Sequence, residues 1–261
     1  LSGVAWYFVK NFQRNPLHDL EAAHVFLRDL SSKDPPPNPK IPATPQLVEL
    51  TCAMIDQSSI GGAAVAACIC LMFWIMLRSV EVLKPDIEEI DPERVITWGD
   101  IIMRRSLGYE EEKCNDEDYQ EGRAMTVKIV SYKNDKIVAT RTIEQNDKSP
   151  TCPVKAIKLL HAVLKAKGVP CQANRPVCQL EGKRQFISRT QISELLKAVA
   201  IKCGCNPNKF ASHSLRRGGA SAYAAAGVPD EDIKRFGRWL SDAYKLYVML
   251  NDTSILSKGH M

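Results

Sequence analysis

The chain has 261 residues, which is enough for one large domain or for one domain with part of a second. Hydrophobic residues make up 45% and charged residues 25%, as in ordinary globular proteins, so a disordered or fibrous chain is excluded. The formal net charge of +5 is a mild basic bias that fits a polyanionic partner without requiring one.

The first predicted elements lie on either side of a proline-rich segment. Residues 1–33 show apolar residues at helical spacing. Residues 34–45 can form neither a helix nor a central strand, because proline lacks a backbone N–H and fixes φ. This segment therefore predicts a linker, and its last two residues, Thr44 and Pro45, predict the N-cap and first turn of a helix near Gln46–Ile55.

The most apolar segment of the chain allows two interpretations. Ile60–Leu77 contains 18 uncharged residues, the lower limit for a membrane span. Nearly half of them are Gly, Ala or Cys, and the segment runs directly into Arg78 and Glu81. The pattern favours a helix that is buried on all sides in a large core over a membrane span.

The periodicity then changes to that of strands. The β-rich runs 95–98, 125–130 and 137–143 predict three strands, and the polar turn 132–136 joins the last two as a hairpin. Between the first two runs, the acidic stretch Glu110–Glu121 predicts a disordered loop that faces solvent.

Helical signals return after the hairpin, with caps and glycine stops at their ends. The predicted helices are Pro153–Lys167, Gln191–Lys202, Ser212–Ala226, Pro229–Phe236 and Asp242–Leu250. The sequence therefore predicts an α+β fold that is mainly α, with a helical core and a small three-stranded antiparallel sheet.

Nine cysteines could indicate either a zinc site or reduced thiols. Cys68/Cys70 and Cys203/Cys205 are C-x-C pairs without a histidine cluster nearby. The pattern favours reduced, mostly buried thiols in an intracellular protein, so no metal site is expected.

Two pairs of polar residues have spacings that suit phosphate chemistry. His213 and Arg216 are three apart on a predicted helix, so both project from one face. A guanidinium can hold phosphate oxygens while an imidazole moves a proton, although such a pair alone is more typical of a solvated helix face. Arg78 and Glu81 show the same spacing at the end of the apolar segment.

Downstream, Trp239 follows a glycine stop, and Tyr247 lies on the next predicted helix. The ordered combination of R-x-x-E, H-x-x-R, G-x-W and a tyrosine resembles the tyrosine recombinase family. The tail SHSLRRGGASAYAAAGV…GRWLSDAYKLYV resembles in particular the recombinases of eukaryotic mobile elements, the DIRS-like and Ngaro-like retrotransposons and the Cryptons. The resemblance extends from Ile41 to the C-terminus.

The resemblance implies a division of the chain and a set of site residues. Residues 1–33 would be a helical remnant of an N-terminal DNA-clamping domain, 34–45 a linker, and 46–261 the tyrosine recombinase catalytic domain. The implied catalytic residues are Arg78, Lys133, His213, Arg216, Trp239 and Tyr247, with Glu81 in a supporting role.

Each implied residue has a role in the family's chemistry. The two arginines neutralise charge on the non-bridging phosphate oxygens, and His213 takes the proton of the tyrosine nucleophile. Lys133 protonates the leaving 5′-oxygen, and Trp239 stands where many relatives have a second histidine, with an indole N–H that can donate to a phosphate oxygen.

Two of these positions have competitors in the sequence. Tyr244 also follows Trp239, but the family's spacing favours Tyr247 as the nucleophile. Lys128 and Lys136 lie in the same hairpin as Lys133, which alone is predicted at its tip.

The expected function is site-specific cleavage and rejoining of double-stranded DNA through a 3′-phosphotyrosine, without a cofactor or metal ion. Arg217, Arg238 and Lys209 are the expected DNA contacts. The resemblance further implies self-association on DNA during synapsis, no membrane association and a nuclear location. The alternatives are a domesticated DNA-binding module that lost catalysis, a type IB topoisomerase with the same chemistry, and a membrane protein that spans at Ile60–Leu77.

Overall fold

The computed structural model describes residues 40–85, 94–105, 116–131, 137–182, 185–239 and 244–245. Its helices are α1 Pro45–Ala53, α2 Ile60–Trp74, α3 Ser79–Val82, α4 Asp116–Glu121, α5 Pro153–Ala166, α6 Arg189–Lys202, α7 His213–Ala225 and α8 Asp230–Gly237. Its strands are β1 Ile101–Arg104, β2 Ala124–Ser131 and β3 Ile137–Glu144, and short 3-10 turns cover Trp98–Asp100 and Pro207–Lys209. The described chain is mainly helical with one small antiparallel sheet, as predicted.

Helix α2 lies at the centre of the core. The Ser59 side chain caps its N-terminus by accepting from the Gly62 N–H at 3.1 Å. Most of its residues are buried, since α1, α5 and α7 all pack against it. The prediction of a buried helix is confirmed, although the helix ends at Trp74 and not at Leu77. In the described part of the chain, every helix is too short or too polar to cross a bilayer.

The three strands form an antiparallel sheet in the order β1-β2-β3. In the central strand β2, Met125, Val127 and Ile129 point into the core, while Lys128 between them is exposed. The runs predicted at 125–130 and 137–143 are therefore confirmed as β2 and β3.

The strand predicted at 95–98 is wrong, because the first strand is Ile101–Arg104. Ile96 and Trp98 are buried outside the sheet. The Ile96 N–H donates to Glu81 O at 2.8 Å, and the Trp98 N–H donates to Arg175 O at 3.0 Å. An apolar, β-prone run marks burial, and tertiary context decides whether it joins a sheet.

The expectation of a disordered acidic loop is wrong for the end of that stretch, where Asp116–Glu121 forms α4. Asp116 contacts Lys165 at 2.6 Å and His161 at 3.4 Å on α5. The Tyr119 ring stacks on the His161 ring with their centroids 4.2 Å apart. The short acidic helix is thus held by contacts with α5, and residues 110–115 lie outside the described ranges.

The predicted entry into α1 is confirmed. The Leu47 N–H donates to the Thr44 hydroxyl at 3.2 Å, and Pro45 occupies the first turn. Before this cap the chain runs beside the start of α7, where the Ile41 N–H donates to Lys209 O and the Ala43 N–H to Ser214 O, both at 2.9 Å. The predicted helical region 1–33 and residues 34–39 of the predicted linker lie outside the described residues.

The later helices follow the prediction closely, with α5, α6, α7 and α8 starting and ending within about two residues of the expected positions. Helix α8 includes Gly237, and the residue that leaves the helix is Arg238, with a left-handed φ of 59°. Of the predicted helix Asp242–Leu250, only Tyr244 and Lys245 are described.

Candidate functional site

The site lies where α7, the end of α8 and the segment after α2 meet. Two glycines of α7 bring these elements close together. A Cβ on Gly219 would lie 2.0 Å from Phe73 O, and a Cβ on Gly218 would lie 2.0 Å from Ala43 O. Only glycine fits at either position, so the double glycine fixes α7 against α2 and places His213 and Arg216 beside the end of that helix.

Arg216 is the most deeply buried charged residue of the site, with 2% of its surface exposed. Its guanidinium donates through Nη1 to Met76 O and through Nη2 to Gly237 O. Its Cζ lies 4.3 Å from the centroid of the Trp239 ring, in a cation–π contact. Arg216 is therefore a fixed cation that links the turn after α2 to the turn after α8.

Arg78 and Glu81 contact each other as their spacing suggested, but they do not lie on the buried helix. Helix α2 ends at Trp74, the chain turns at Met76 with φ 52°, and Arg78 precedes the short helix α3. The Glu81 carboxylate accepts from the Arg78 backbone N–H at 2.7 Å and from Arg78 Nη1 at 2.8 Å. The expected same-face pair on one long helix is thus replaced by a capping contact at the start of a separate helix.

Arg238 joins this pair from the other side. Its Nη2 lies 2.7 Å from Glu81 Oε2, and 10% of its side chain is exposed. Among the described residues, Nε and Nη1 of Arg238 are buried and find no hydrogen-bond partner. The contact between Arg238 and Glu81 is therefore inside the protein, and the role of Arg238 as a DNA contact stays a prediction.

The turn after α8 is a Schellman motif with an arginine in the usual glycine position. The Arg238 N–H donates to Arg235 O at 3.2 Å, and the Trp239 N–H donates to Lys234 O at 3.1 Å. A Cβ on Gly237 would lie 1.7 Å from the Trp239 ring, so the glycine of the G-x-W motif allows the indole to fold back over the helix end. This explains the spacing of the motif in steric terms.

Three arginines from distant parts of the chain donate to consecutive carbonyls at this helix end. Arg141 of β3 donates through Nε to Phe236 O at 2.8 Å and through Nη2 to Arg235 O at 2.6 Å. Arg216 donates to Gly237 O, and Arg78 donates through Nη2 to Arg238 O at 3.3 Å. The carbonyls at a helix C-terminus carry partial negative charge, so the cations are stabilised there.

Sequence analysis missed Arg141. The signal was present: alternation along β3 puts Arg141 on the same face as Ala139 and Ile143, opposite the buried Val127 of β2. A charged residue in an inward-facing row requires polar partners. The pattern could have indicated a buried contact, although not with which residues.

His213 is the first residue of α7 and keeps an exposed face. The surrounding protein removes much of the water from the imidazole, and the charges of Arg217, Arg216 and Arg78 act in the same direction. Together they lower the pKa of His213 to about 4. The imidazole is therefore neutral near pH 7, where it can accept a proton.

Of the two candidate tyrosines, Tyr244 lies within the described residues and Tyr247 does not. Tyr244 is 2% exposed, and its ring centroid lies 6.1 Å from that of Trp239, so it packs against that ring. Tyr247 lies outside the described residues, as do Lys133 and its competitor Lys136, whereas Lys128 is exposed on β2. The structure brings together Arg78, Glu81, His213, Arg216 and Trp239.

The remaining two predicted DNA contacts lie near the start of α7. Arg217 donates through Nη1 to Lys40 O, and Lys209 ends the 3-10 turn that accepts the Ile41 N–H. Both basic residues thus lie beside the segment that enters α1.

No protein-family model matches the chain, and no curated protein matches its sequence. Across the described ranges, no group of three His, Cys, Asp or Glu side chains is arranged to hold a metal ion. The described residues of the site place fixed guanidiniums beside a neutral imidazole, a combination that can bind an oxyanion and accept a proton.

Proposed function

We propose that this chain is a tyrosine recombinase that cleaves and rejoins DNA strands through a 3′-phosphotyrosine on Tyr247. One observation carries the proposal. Arg78 and Arg216 are far apart in the sequence, yet both donate to the turn that ends α8, at Arg238 O and Gly237 O. The next residue of the chain is Trp239, and Tyr247 follows eight residues later, as in the motif order of that family.

The described geometry suits the charge changes of the reaction. Attack by a tyrosine oxygen on phosphorus places additional negative charge on the non-bridging oxygens. A cation that is already fixed stabilises this charge without reorganisation during the reaction. Arg216 is fixed in this way, because two backbone carbonyls and the Trp239 ring hold its guanidinium, and it is 2% exposed in the unbound protein.

The proton transfers complete the proposed step. A phenol has a reference pKa of about 10 and needs a base to become an effective nucleophile near pH 7. His213, neutral at that pH, takes the proton as the bond from the Tyr247 oxygen to phosphorus forms. The bond from phosphorus to the 5′-oxygen breaks, and Lys133 gives that oxygen its proton. The phosphotyrosine then accepts a 5′-hydroxyl in the reverse sense, so the strand is rejoined.

The test is to trap the covalent intermediate. Wild-type protein is incubated with a library of nicked duplexes that release a short strand on cleavage, so that religation is prevented. Tyr247→Phe should abolish the adduct while DNA affinity stays nearly unchanged, because one phenol hydroxyl adds little to binding that is dominated by phosphate contacts. Tyr244→Phe is the matched control and should retain the adduct, since Tyr244 is buried against Trp239.

Three outcomes would count against the proposal. An adduct mapped by mass spectrometry to Tyr244 would contradict the assignment of the nucleophile. A strict requirement for magnesium or manganese would contradict the mechanism, since cleavage is expected to proceed in EDTA. DNA binding without any adduct would instead support a DNA-binding module that has lost catalysis.

A further inference from the structure

The contacts of Arg141 connect the sheet to the helix end that carries the site. Arg141 lies in the edge strand β3, in a row with Ala139 and Ile143, and its register partner in β2 is the buried Val127. Its side chain reaches out of this row to the last turn of α8, where it donates to Phe236 O at 2.8 Å and to Arg235 O at 2.6 Å.

The chemistry of the residue fits this role closely. A guanidinium presents its donors in a rigid planar fork, so two adjacent carbonyls can be held at once, whereas a lysine offers a single nitrogen. The Arg141 Cζ also lies 5.3 Å from the centroid of the Phe236 ring, which fixes the plane of the fork. Burial, followed by the charge of the neighbouring Arg235, lowers the pKa of Arg141, but an arginine remains charged at neutral pH.

The turn that Arg141 holds needs external support. Helix α8 is only eight residues long, and Arg238 directly after it lies in the left-handed region, which is unfavourable for a residue with a side chain. Arg216 and Arg78 bind the two carbonyls after the helix, at Gly237 and Arg238. Arg141 binds the two before them, so the four consecutive carbonyls are held from three directions.

We propose that Arg141 is a positioning residue: it fixes the Gly237–Trp239 turn against β3 and thereby sets the position of Trp239 and of the chain that leads to Tyr247. The proposal rests on the proposed function for its catalytic consequence, although the anchoring of the turn can be tested by itself.

Two substitutions separate geometry from charge. Arg141→Ala removes the charge and the hydrogen bonds to the Phe236 and Arg235 carbonyls. Arg141→Lys keeps the charge but cannot reach both carbonyls with a planar fork. Arg123→Ala is the control, because it also removes one positive charge beside the sheet. The Arg123 side chain makes an exposed ion pair, with Asp147 at 2.7 Å. Three quantities are measured for each variant: the single-turnover rate of adduct formation at saturating protein, the DNA dissociation constant, and the hydrogen exchange of the Arg238 and Trp239 amides.

The expected result is a rate that falls about 100-fold in both Arg141 variants, since a displacement of about 1 Å at a reacting group has an effect of this size. The DNA dissociation constant should change as little as in Arg123→Ala, and the two amides should exchange faster than in wild type.

Several results would overturn the proposal. Rates equal to wild type in the Arg141 variants would do so. So would weaker DNA binding that Arg141→Lys restores together with the rate, because that pattern would show a charge contribution to binding and no positioning. If the wild-type protein forms no adduct, the proposed function fails and the exchange rates decide alone: faster exchange in Arg141→Ala supports the anchoring, and unchanged exchange overturns it.

Discussion

Glu81 holds two arginines with one carboxylate. Oε1 accepts from Arg78 Nη1, while Oε2 accepts from the Arg78 backbone N–H and from Arg238 Nη2. Glu81 is 3% exposed, so its negative charge is in a region where water screens little. Removal of one partner from a buried ion pair leaves an uncompensated charge, and this is much more costly than the loss of a surface pair.

Glu81→Gln should therefore destabilise the protein strongly, although the shape of the side chain is kept. We expect the free energy of unfolding to fall by about 3 kcal/mol, as for other broken buried pairs. Urea unfolding monitored by circular dichroism measures this loss. Glu144→Gln on the exposed side of β3 is the control and should change the stability little. A loss in Glu81→Gln no larger than in the control would contradict the role assigned to Glu81.

The lowered pKa of His213 predicts that DNA affinity depends on pH. In the unbound protein the imidazole stays neutral down to about pH 4, because the surrounding protein and three arginines disfavour its charged form. A bound phosphate adds negative charge beside the ring and offsets the arginines, so binding should raise the pKa of His213. Protons are then taken up on binding, and DNA affinity should increase as the pH falls toward the unbound pKa of about 4.

Fluorescence anisotropy at constant ionic strength measures this dependence. His213→Gln should flatten the pH profile over that range. Folding stability depends on pH in the opposite direction to DNA affinity. The pKa of His213 is lower in the folded protein than in the unfolded chain, so the contribution of His213 to stability is lost as the pH falls below about 6.5. A pH profile of affinity that is the same in His213→Gln and wild type would contradict the proposed proximity of His213 to the phosphate.

At the scale of the elements, the contact of α7 with α2 determines whether the site exists. Phe73 O lies where a Cβ on Gly219 would be, at 2.0 Å, and a backbone atom cannot move aside as the end of a side chain can. Gly219→Ala should lower the free energy of unfolding by about 3 kcal/mol or more, since overpacking here must separate two helices. Thermal and urea unfolding measure the effect.

Gly61 in α2 provides a matched control. A Cβ there would meet Leu180 Cδ2 at 3.9 Å, which is an ordinary contact. Gly61→Ala should stabilise the protein by up to about 1 kcal/mol, because alanine is the better helix former. Equal effects of the two substitutions would show that α7 can shift away from α2, contrary to the structure.

For the whole molecule, the sequence predicted what local periodicity determines. The helices α5 to α8 and the strands β2 and β3 follow from patterns that lie within each segment, and α2 follows from a helix that is apolar on every face. The first strand and the acidic helix α4 were misplaced because their structure depends on partners elsewhere, such as Arg175 for Trp98 and His161 for Tyr119.

The site could be predicted in part for the same reason. Motif order indicated Arg78, Glu81, His213, Arg216 and Trp239, and the structure places them together. It could not indicate which residues Arg141 and Arg238 contact, since those contacts link segments far apart in the chain. Lys133 and Tyr247 lie outside the described residues, so their roles remain predictions.

The segment that enters the fold has a mechanical consequence. Lys40–Ala43 is attached to the start of α7 by the backbone hydrogen bonds of Ile41 and Ala43 and by the bond from Arg217 to Lys40 O. A force applied to the chain at Lys40 would load these bonds, and those to Ser214 and Arg217 lead directly to the helix that bears His213. We therefore expect tension at this point to act on the start of α7, and through it on the position of His213.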